Sequence, residues 1–260
     1  MNAWELYTSR MHNLGETKRE AALNREVRFL NAKIPGSLSY KNIIVYSPEN
    51  TYNISTDKAI EQNAAIIDTD NLEEKFIMTL PGESLIEGSL VYWNENFWLV
   101  AQRDADDTVY TRTSIIQCNH LLRWIGENNQ IMEQWCIVED GTKYLTGEME
   151  DRQFIITRGD SRIAVTISRN SETVRFDRNR RFLIDDPQSP HKLAYTLSKP
   201  LKIGRVYNQQ GIFKFVMQEV TATADDNHEL GIAEYYKHFP KSVGSTHNDA
   251  GNETNKRVWL

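Results

Sequence analysis

Short β-rich runs separated by turn residues most constrain what this chain can fold into. From about residue 40 onward, β-branched and aromatic residues alternate with polar ones over short stretches. Such runs are typical of strands, and the prolines, glycines, asparagines and aspartates between them are typical of turns. The dipeptide Asp140-Gly141 and the segment Asn94-Glu95-Asn96 each predict a hairpin turn. The sequence therefore predicts a mainly β fold.

The run GSLVYWNENFWLV, residues 88–100, is apolar on both faces of its strands. Because successive side chains alternate, Leu90 and Tyr92 fall on one face. Val91 and Trp93 fall on the other. A sheet with one solvent-exposed face would show a polar residue at every second position. The run therefore favours a small closed barrel, or a sandwich with a second domain or another chain packed outside it.

A helix is predicted before the strands, over residues 2–33. Thr17 and Glu20 have the spacing of a capping box, and Pro35-Gly36 ends the pattern. The apolar stripe consists of Leu23, Val27, Leu30 and Ile34. The other face carries Lys18, Arg19, Arg25, Arg28 and Lys33. This basic face either approaches an acidic surface or nucleic acid, or is a solvated face laced with glutamates.

The chain divides into four predicted parts. They are an N-terminal helical arm (1–35), a β-barrel domain (36–150), a second β-barrel or sandwich domain (151–240) and an extended C-terminal arm (241–260). The last part is polar until its final Val258-Trp259-Leu260, so we expect it to be held by another chain with Trp259 as the anchor, or else to pack on its own domain.

Charge and composition exclude some function classes. The chain has 260 residues, a formal net charge of -6 and a pI near 5.6. Phosphate binding needs a basic surface, so the overall charge does not favour wrapping a DNA duplex. No apolar run is long enough to span a membrane, and the start MNAWELYTSR lacks the apolar core of a secretory signal. Two cysteines are too few for a disulfide framework.

No motif for phosphate-loop, dinucleotide, zinc-protease or serine-hydrolase chemistry occurs. The strongest candidate for a metal site is the set Cys118, His120 and Cys136. If their two strands pair around the turn at 126–130, Cys136 faces His120 and three zinc ligands converge. A fourth ligand is missing, and free cysteines are common as small core residues. We therefore expect no metal, no cofactor and no catalytic residues, and rank a metal-dependent hydrolase last.

Several linked segments resemble a family of uncharacterised virion proteins encoded among the head and neck genes of tailed phages and prophages of Gram-positive bacteria. The resemblance covers about residues 3 to 239, and its segments are ELYTSR, LPGE, GSLVYWNENFWLV, DDTVYTR, IIQCNHLLRW, QWCIVEDGTKYLTGE, TRGDSRIAV and FDRNRRFLID. The phrase LPGESLIEGSLVYWNENFWLV is also similar to the small barrel of head-closure, or stopper, proteins. Those proteins are usually much shorter, and the second β domain is a departure from them.

The resemblance implies a structural protein of the head-tail connector rather than an enzyme. Its copies would close into a ring of about six or twelve subunits. The partners implied are the portal or adaptor protein, the tail proteins and packaged double-stranded DNA in the lumen, with no membrane. We expect partner contacts at Trp4, Arg25, Arg28, Trp93, Trp98, Trp259 and Leu260. The alternatives are a capsid-associated or tail-adaptor virion protein, or a β-barrel module that stacks sugars or bases on its aromatics.

Overall fold

The computed structural model describes residues 17–104, 109–140 and 161–240, together with Asn2, Trp4, Tyr7 and Gly15. Two sheets account for most of it, and a helix over Lys18–Lys33 precedes them. The mainly β fold expected from the sequence is confirmed. The predicted C-terminal arm and the runs expected around residues 143–159 lie outside the described residues.

Helix α1 spans Lys18–Lys33 and begins with the predicted capping box. Thr17 Oγ1 accepts a hydrogen bond from Glu20 N at 3.1 Å, and Glu20 Oε2 accepts one from Thr17 N at 3.2 Å. The two bonds satisfy donors that the first helical turn leaves free. A 3₁₀ turn over Ile34–Gly36 ends the helix, as the Pro-Gly pair predicts. Ile34 is buried, and the turn that contains it contacts the first strand of the barrel.

The first sheet is a closed barrel of six antiparallel strands in the order β1-β2-β3-β6-β5-β4. The strands are β1 Tyr40–Tyr46, β2 Ile60–Asp68, β3 Glu74–Thr79, β4 Leu90–Trp93, β5 Asn96–Arg103 and β6 Arg112–Gln117. The β4–β5 hairpin turns through Asn94 and Glu95, whose φ angles are 50° and 63°. Positive φ at both positions is what a two-residue hairpin turn of this hand requires.

The second sheet also has six strands, in the order β10-β11-β12-β9-β8-β7. They are β7 His120–Ile125, β8 Ile131–Asp140, β9 Arg162–Ser168, β10 Arg181–Ile184, β11 Leu193–Tyr207 and β12 Gln210–Val220. The sheet curls until its end strands β7 and β10 contact each other. Within the described residues no hydrogen-bond ladder joins these two strands. A short helix α2, Tyr235–His238, follows the sheet.

The two sheets divide at Cys118 and Asn119, whereas the sequence pattern predicts the division after residue 150. The hairpin β7–β8 belongs to the second sheet, because β8 pairs with β9 with Ile137 opposite Thr166. Turn residues reveal which neighbouring strands form a hairpin but not which sheet that hairpin joins. The connection between the sheets is only two residues long. Cys118 N donates to Phe97 O in the first sheet at 2.8 Å, and Asn119 N donates to Cys136 O in the second at 3.2 Å.

The apolar character of both faces of β4 and β5 has a simple structural cause. Val91, Trp98 and Val100 point into the barrel, where they join a largely aliphatic core. Leu90 and Leu99 point outward into a second apolar cluster that includes Ile137 and Ile212 of the other sheet. The outside of the barrel hairpin is therefore covered by the chain's own second sheet. The expectation of a second domain or chain at this face is met within one chain.

A buried polar junction also joins the sheets. Asn170 Nδ2 donates to Thr51 Oγ1 at 3.0 Å and to Gln134 Oε1 at 2.8 Å, and all three residues are fully buried. Next to it, Ser168 Oγ donates to Gly88 O. Gly88 has a φ of +85°, and a Cβ there would overlap the carbonyl oxygen of Gly211 in β12. The two backbones can approach this closely because Gly88 has no Cβ, whereas a Cβ at Gly211 would overlap the carbonyl oxygen of Arg205 within its own hairpin.

The segment after β12 is fixed by one buried carboxylate. Asp226 accepts hydrogen bonds from Thr223 N at 2.6 Å, Glu234 N at 2.9 Å and Arg181 Nη2 at 2.8 Å. Burial raises the pKa of Asp226, but the two backbone donors and the Arg181 guanidinium outweigh burial, and the pKa lies below its ordinary value. Asp226 is therefore ionised in the folded protein at neutral pH and ties α2 to β10.

Candidate partner-binding surfaces

Helix α1 contributes little to the core of the chain. None of its 16 residues is buried. The predicted stripe of Leu23, Val27 and Leu30 is half-buried, so the chain covers it only in part. Most of the stability of a helix in a protein comes from packing of its apolar face. Helix α1 therefore has contact area that remains available to a partner.

The outward face of α1 is basic with an aromatic residue at its centre. At 100° per residue, Lys18, Arg25 and Phe29 lie on the side opposite Leu23. Phe29 is 51% exposed, and Lys33 Nζ lies 5.0 Å from the centroid of its ring. Five basic and two acidic side chains give the helix a net charge of +3, so the rest of the chain carries -9. We call this face, with Lys18, Arg25 and Phe29, the basic helix face.

The barrel carries a surface of opposite charge at the far end of β1. A depression of about 300 Å³ is lined by Val45, Ser47, Ile60, Glu61, Gln62, Glu83, Ser84, Ile86 and Ser89. Among the described residues that line it, two glutamates are charged and none is basic. Ile60 faces Val45 across the β1–β2 ladder and is 59% exposed. We call this surface the acidic depression.

Sequence reasoning missed the acidic depression, because its parts are far apart along the chain. Ile60 and Glu61 begin β2, whereas Glu83 lies in the loop before β4. Gln62 Nε2 donates to Glu83 Oε2 at 3.0 Å and joins the two segments. The one signal in the sequence is Ile60, an apolar residue next to the polar run Glu61-Gln62-Asn63. Phe29 was missed for a similar reason, since a single aromatic residue among charges has no periodicity.

The sequence-predicted tryptophans are mostly interior. Trp98 is 3% exposed in the barrel core, so this predicted contact residue is a core residue instead. A strand that is apolar on both faces does not reveal which face turns inward. Trp93 is half-buried, with its ring centroid 5.9 Å from that of Trp98. Trp135 stacks on Phe97 between the sheets at 5.1 Å, and Trp124 is 2% exposed in the second core.

The other predicted contact residues lie at the N-terminal side or outside the described residues. Trp4 is 67% exposed and stacks on Tyr7, with ring centroids 5.7 Å apart. Arg25 and Arg28 are exposed on α1. Trp259 and Leu260 fall outside the described residues.

The strand register proposed for the cysteine–histidine constellation is confirmed. His120 pairs with Cys136, whose Sγ donates to His120 O at 3.5 Å. However, Cys118 joins the cluster between the sheets and Cys136 joins the second core. Nowhere in residues 17–104, 109–140 and 161–240 do three or more His, Cys, Asp or Glu side chains form a group that could hold a metal.

Burial shifts the pKa values of all three side chains, Cys118, His120 and Cys136. Burial raises the pKa of the Cys136 thiol to about 12 and raises that of Cys118 well above its ordinary value. Burial, together with the charges of Lys192 and Arg123, lowers the pKa of His120. A thiolate is the form that binds metal or attacks a substrate. Both cysteines are therefore neutral thiols at neutral pH.

None of the helices in the described part of the chain is long and apolar enough to cross a membrane.

Comparison with known proteins finds only weak structural similarity. No protein-family model matches the chain, and no curated protein matches it. Three solved structures resemble it weakly. A structure titled as MrkH, a c-di-GMP-dependent transcription regulatory factor, has a TM-score of 0.23 and 10% identity over 78% of this chain and 86% of that chain.

The other two similar structures give equally low scores. The apo state of K. pneumonia MrkH has a TM-score of 0.24 and 8% identity over 78% of this chain and 87% of that chain. The Bacillus subtilis inhibitor of motility MotI/DgrA has a TM-score of 0.21 and 9% identity over 74% of this chain and 92% of that chain. Superpositions at this level carry no argument about the fold or function of this chain.

Proposed function

We propose that this protein is a structural assembly protein of a tailed-phage virion, whose copies form a ring in the head-tail connector that joins the portal to the tail. The resemblance of its linked segments to virion proteins supports the proposal. The single structural observation that carries it is helix α1, a 16-residue arm without one buried residue. An assembly protein needs elements that are stabilised by neighbours rather than by its own core.

The position of the tryptophans also supports assembly over the alternative of a sugar- or base-binding module. A stacking platform needs exposed aromatic faces beside polar groups. Trp98 and Trp124 are buried, and Trp93 and Trp135 are half-buried against other rings of the same chain. Their side chains serve the two cores and the contact between the sheets.

The rigid connection between the sheets suits a ring subunit with neighbours on several sides. Apolar packing, the Asn170 junction and the close approach of Gly88 to Gly211 hold the sheets together. A subunit that keeps one shape presents its contact surfaces at fixed angles, which closed cyclic symmetry requires. The net charge of -6 suits a lumen through which packaged double-stranded DNA slides without being held.

Copy number tests this function. Native mass spectrometry of the purified protein and quantitative proteomics of virions should both give a multiple that fits a ring on the tail axis, about six or twelve. Hundreds of copies per virion would make it a capsid-associated protein. Absence from virions would overturn the proposal and favour the binding module.

A further inference from the structure

We infer that the basic helix face of one subunit docks in the acidic depression of the next copy of the same chain. This inference rests on the proposed ring and names the contact that builds it. Both surfaces are exposed in the single chain, so α1 does not occupy the depression of its own subunit.

Charge is the first argument. The helix carries +3 against -9 for the rest of the chain, and the depression has Glu61 and Glu83 as its charged residues. A second copy of the chain therefore presents a negatively charged surface that is complementary to the positively charged helix, so no other protein is required as the partner. Complementary potentials of this kind select and orient the partner.

Shape and apolar content are the second argument. Phe29 is the exposed aromatic residue on the basic helix face, and Ile60, Ile86 and Val45 line the depression. A volume of about 300 Å³ accommodates one phenyl ring with neighbouring water displaced. Interfaces commonly have this organisation, with an aromatic anchor in an apolar pocket and charged residues at its rim.

Position in the fold is the third argument. Helix α1 leads into the first residue of β1, Tyr40, whereas Val45 and Ser47 of the depression lie at its other end. At about 3.3 Å per residue the two ends of the strand are roughly 20 Å apart. A contact between two different surfaces of a subunit is head-to-tail, and repetition of it closes into a ring when the rotation allows.

A charge-reversal experiment tests the contact. One variant carries Lys18→Glu and Arg25→Glu on the helix, and the other carries Glu61→Arg and Glu83→Arg in the depression. Each variant alone should lose the wild-type oligomer in native mass spectrometry, with at least about a tenfold rise in the dissociation constant, because like charges then face each other. Arg178→Glu and Glu229→Arg, at exposed positions on loops of the second sheet, are the matched controls and should keep the oligomer.

Mixing the two variants is the decisive step. The reversed helix of one variant fits the reversed depression of the other, and their remaining wild-type surfaces also fit. An equimolar mixture should therefore restore an even-numbered oligomer in which the variants alternate. A variant that had merely lost its fold would not recover on mixing. Phe29→Ala should weaken the oligomer, whereas Tyr207→Ala, at an aromatic residue 62% exposed on another hairpin, should not.

The outcomes separate this inference from the proposed function. If both charge-reversed variants still formed the same oligomer as the wild type, the docking contact would be overturned and the ring proposal would stand. A wild-type chain that stays monomeric at every concentration would overturn docking between free copies, while the copy number in virions still decides the function. Recovery on mixing supports both.

Discussion

The two sheets of this protein are closed by different means. In the first, backbone ladders run all the way round, including the β1–β4 pair, and the core is mostly isoleucine, valine and alanine. In the second, β7 and β10 only touch, and Arg180 Nη2 bridges them by donating to Ile125 O at 2.7 Å. Half of its core residues are phenylalanine, tryptophan or methionine, and most of the others are aliphatic. Closure therefore depends on hydrogen bonds in the first sheet and on large side chains in the second.

Removing an aromatic ring from the second core should have the largest effect. The ring of Phe176 lies 5.1 Å from those of Trp124 and Phe182 and 5.8 Å from that of Phe215. Phe176→Ala should lower the free energy of unfolding by about 3–5 kcal/mol, because it leaves a cavity where the sheet has no ladder. Urea unfolding measures the loss, and hydrogen exchange should show β7 and β10 opening first.

The corresponding truncation in the first core is Ile115→Ala, which should cost about 2–5 kcal/mol and leave exchange at the β1–β4 seam unchanged. If Phe176→Ala left exchange in β7 and β10 unaffected, side-chain packing would not be what closes the second sheet.

A pair of glycines tests the contact between the sheets. Gly82 and Gly88 have φ angles of +92° and +85°, but a Cβ at Gly82 meets no atom within 4 Å. Backbone strain should cost each alanine variant about 1–3 kcal/mol. Gly88→Ala should cost more than Gly82→Ala, since its Cβ also pushes Gly211 of the second sheet away. Equal losses in urea unfolding would show that the close approach contributes nothing.

The low pKa of Asp226 predicts acid sensitivity at the end of the second sheet. Its folded pKa lies below the ordinary value of about 3.9. The stability that ionised Asp226 contributes is therefore complete above that value and is lost as the pH falls through the folded pKa. Asp226→Asn should be less stable than the wild type at neutral pH, with a difference that shrinks in acid.

Asp177→Asn is the control for this change, because the Asp177 side chain is 85% exposed and its ion pair with Lys202 lies on the surface. That variant should change stability by about 0–1 kcal/mol at any pH. Urea midpoints measured across the acid range distinguish the two, and parallel curves for the wild type and Asp226→Asn would contradict the role of Asp226.

The smallest expected effects are changes in the rate of cysteine alkylation. Cys118 reports on the contact between the sheets, and Cys136 reports on the core of the second sheet. Both thiols are buried and protonated, so native labelling should be slow for both. Gly88→Ala should accelerate alkylation of Cys118, which lies between the sheets, more than that of Cys136. Phe176→Ala should do the reverse, because Cys136 lies in the second core. Peptide mapping by mass spectrometry measures both rates, and equal acceleration would mean that the sheets open as one unit.

Local features of this fold could be predicted from the sequence. The capping box of α1, the Asn94–Glu95 hairpin and the pairing of His120 with Cys136 each depend on residues close together along the chain. Features that depend on pairing between strands far apart along the sequence could not be predicted. The β8–β9 ladder decides which sheet the β7–β8 hairpin joins, and nothing in its turn residues shows that choice.

The candidate surfaces divide in the same way. The basic residues of α1 follow from helical periodicity, whereas the acidic depression depends on β2 and the loop before β4 meeting in space. Trp98 shows the limit most clearly. Period-2 alternation places Trp98 and Leu99 on opposite faces of β5. Only closure of the barrel decides that Trp98 faces the interior and that Leu99 faces the second sheet.

The two-residue connection between the sheets has a mechanical consequence. Its first amide is bonded to one sheet and its second to the other, and Asn119 adds side-chain hydrogen bonds to Val138 N and O at 2.8 Å each. The connection therefore contains no free peptide that could extend or act as a hinge between the two sheets. A force applied to the two sheets in opposite directions would load these hydrogen bonds at once, before any linker could extend.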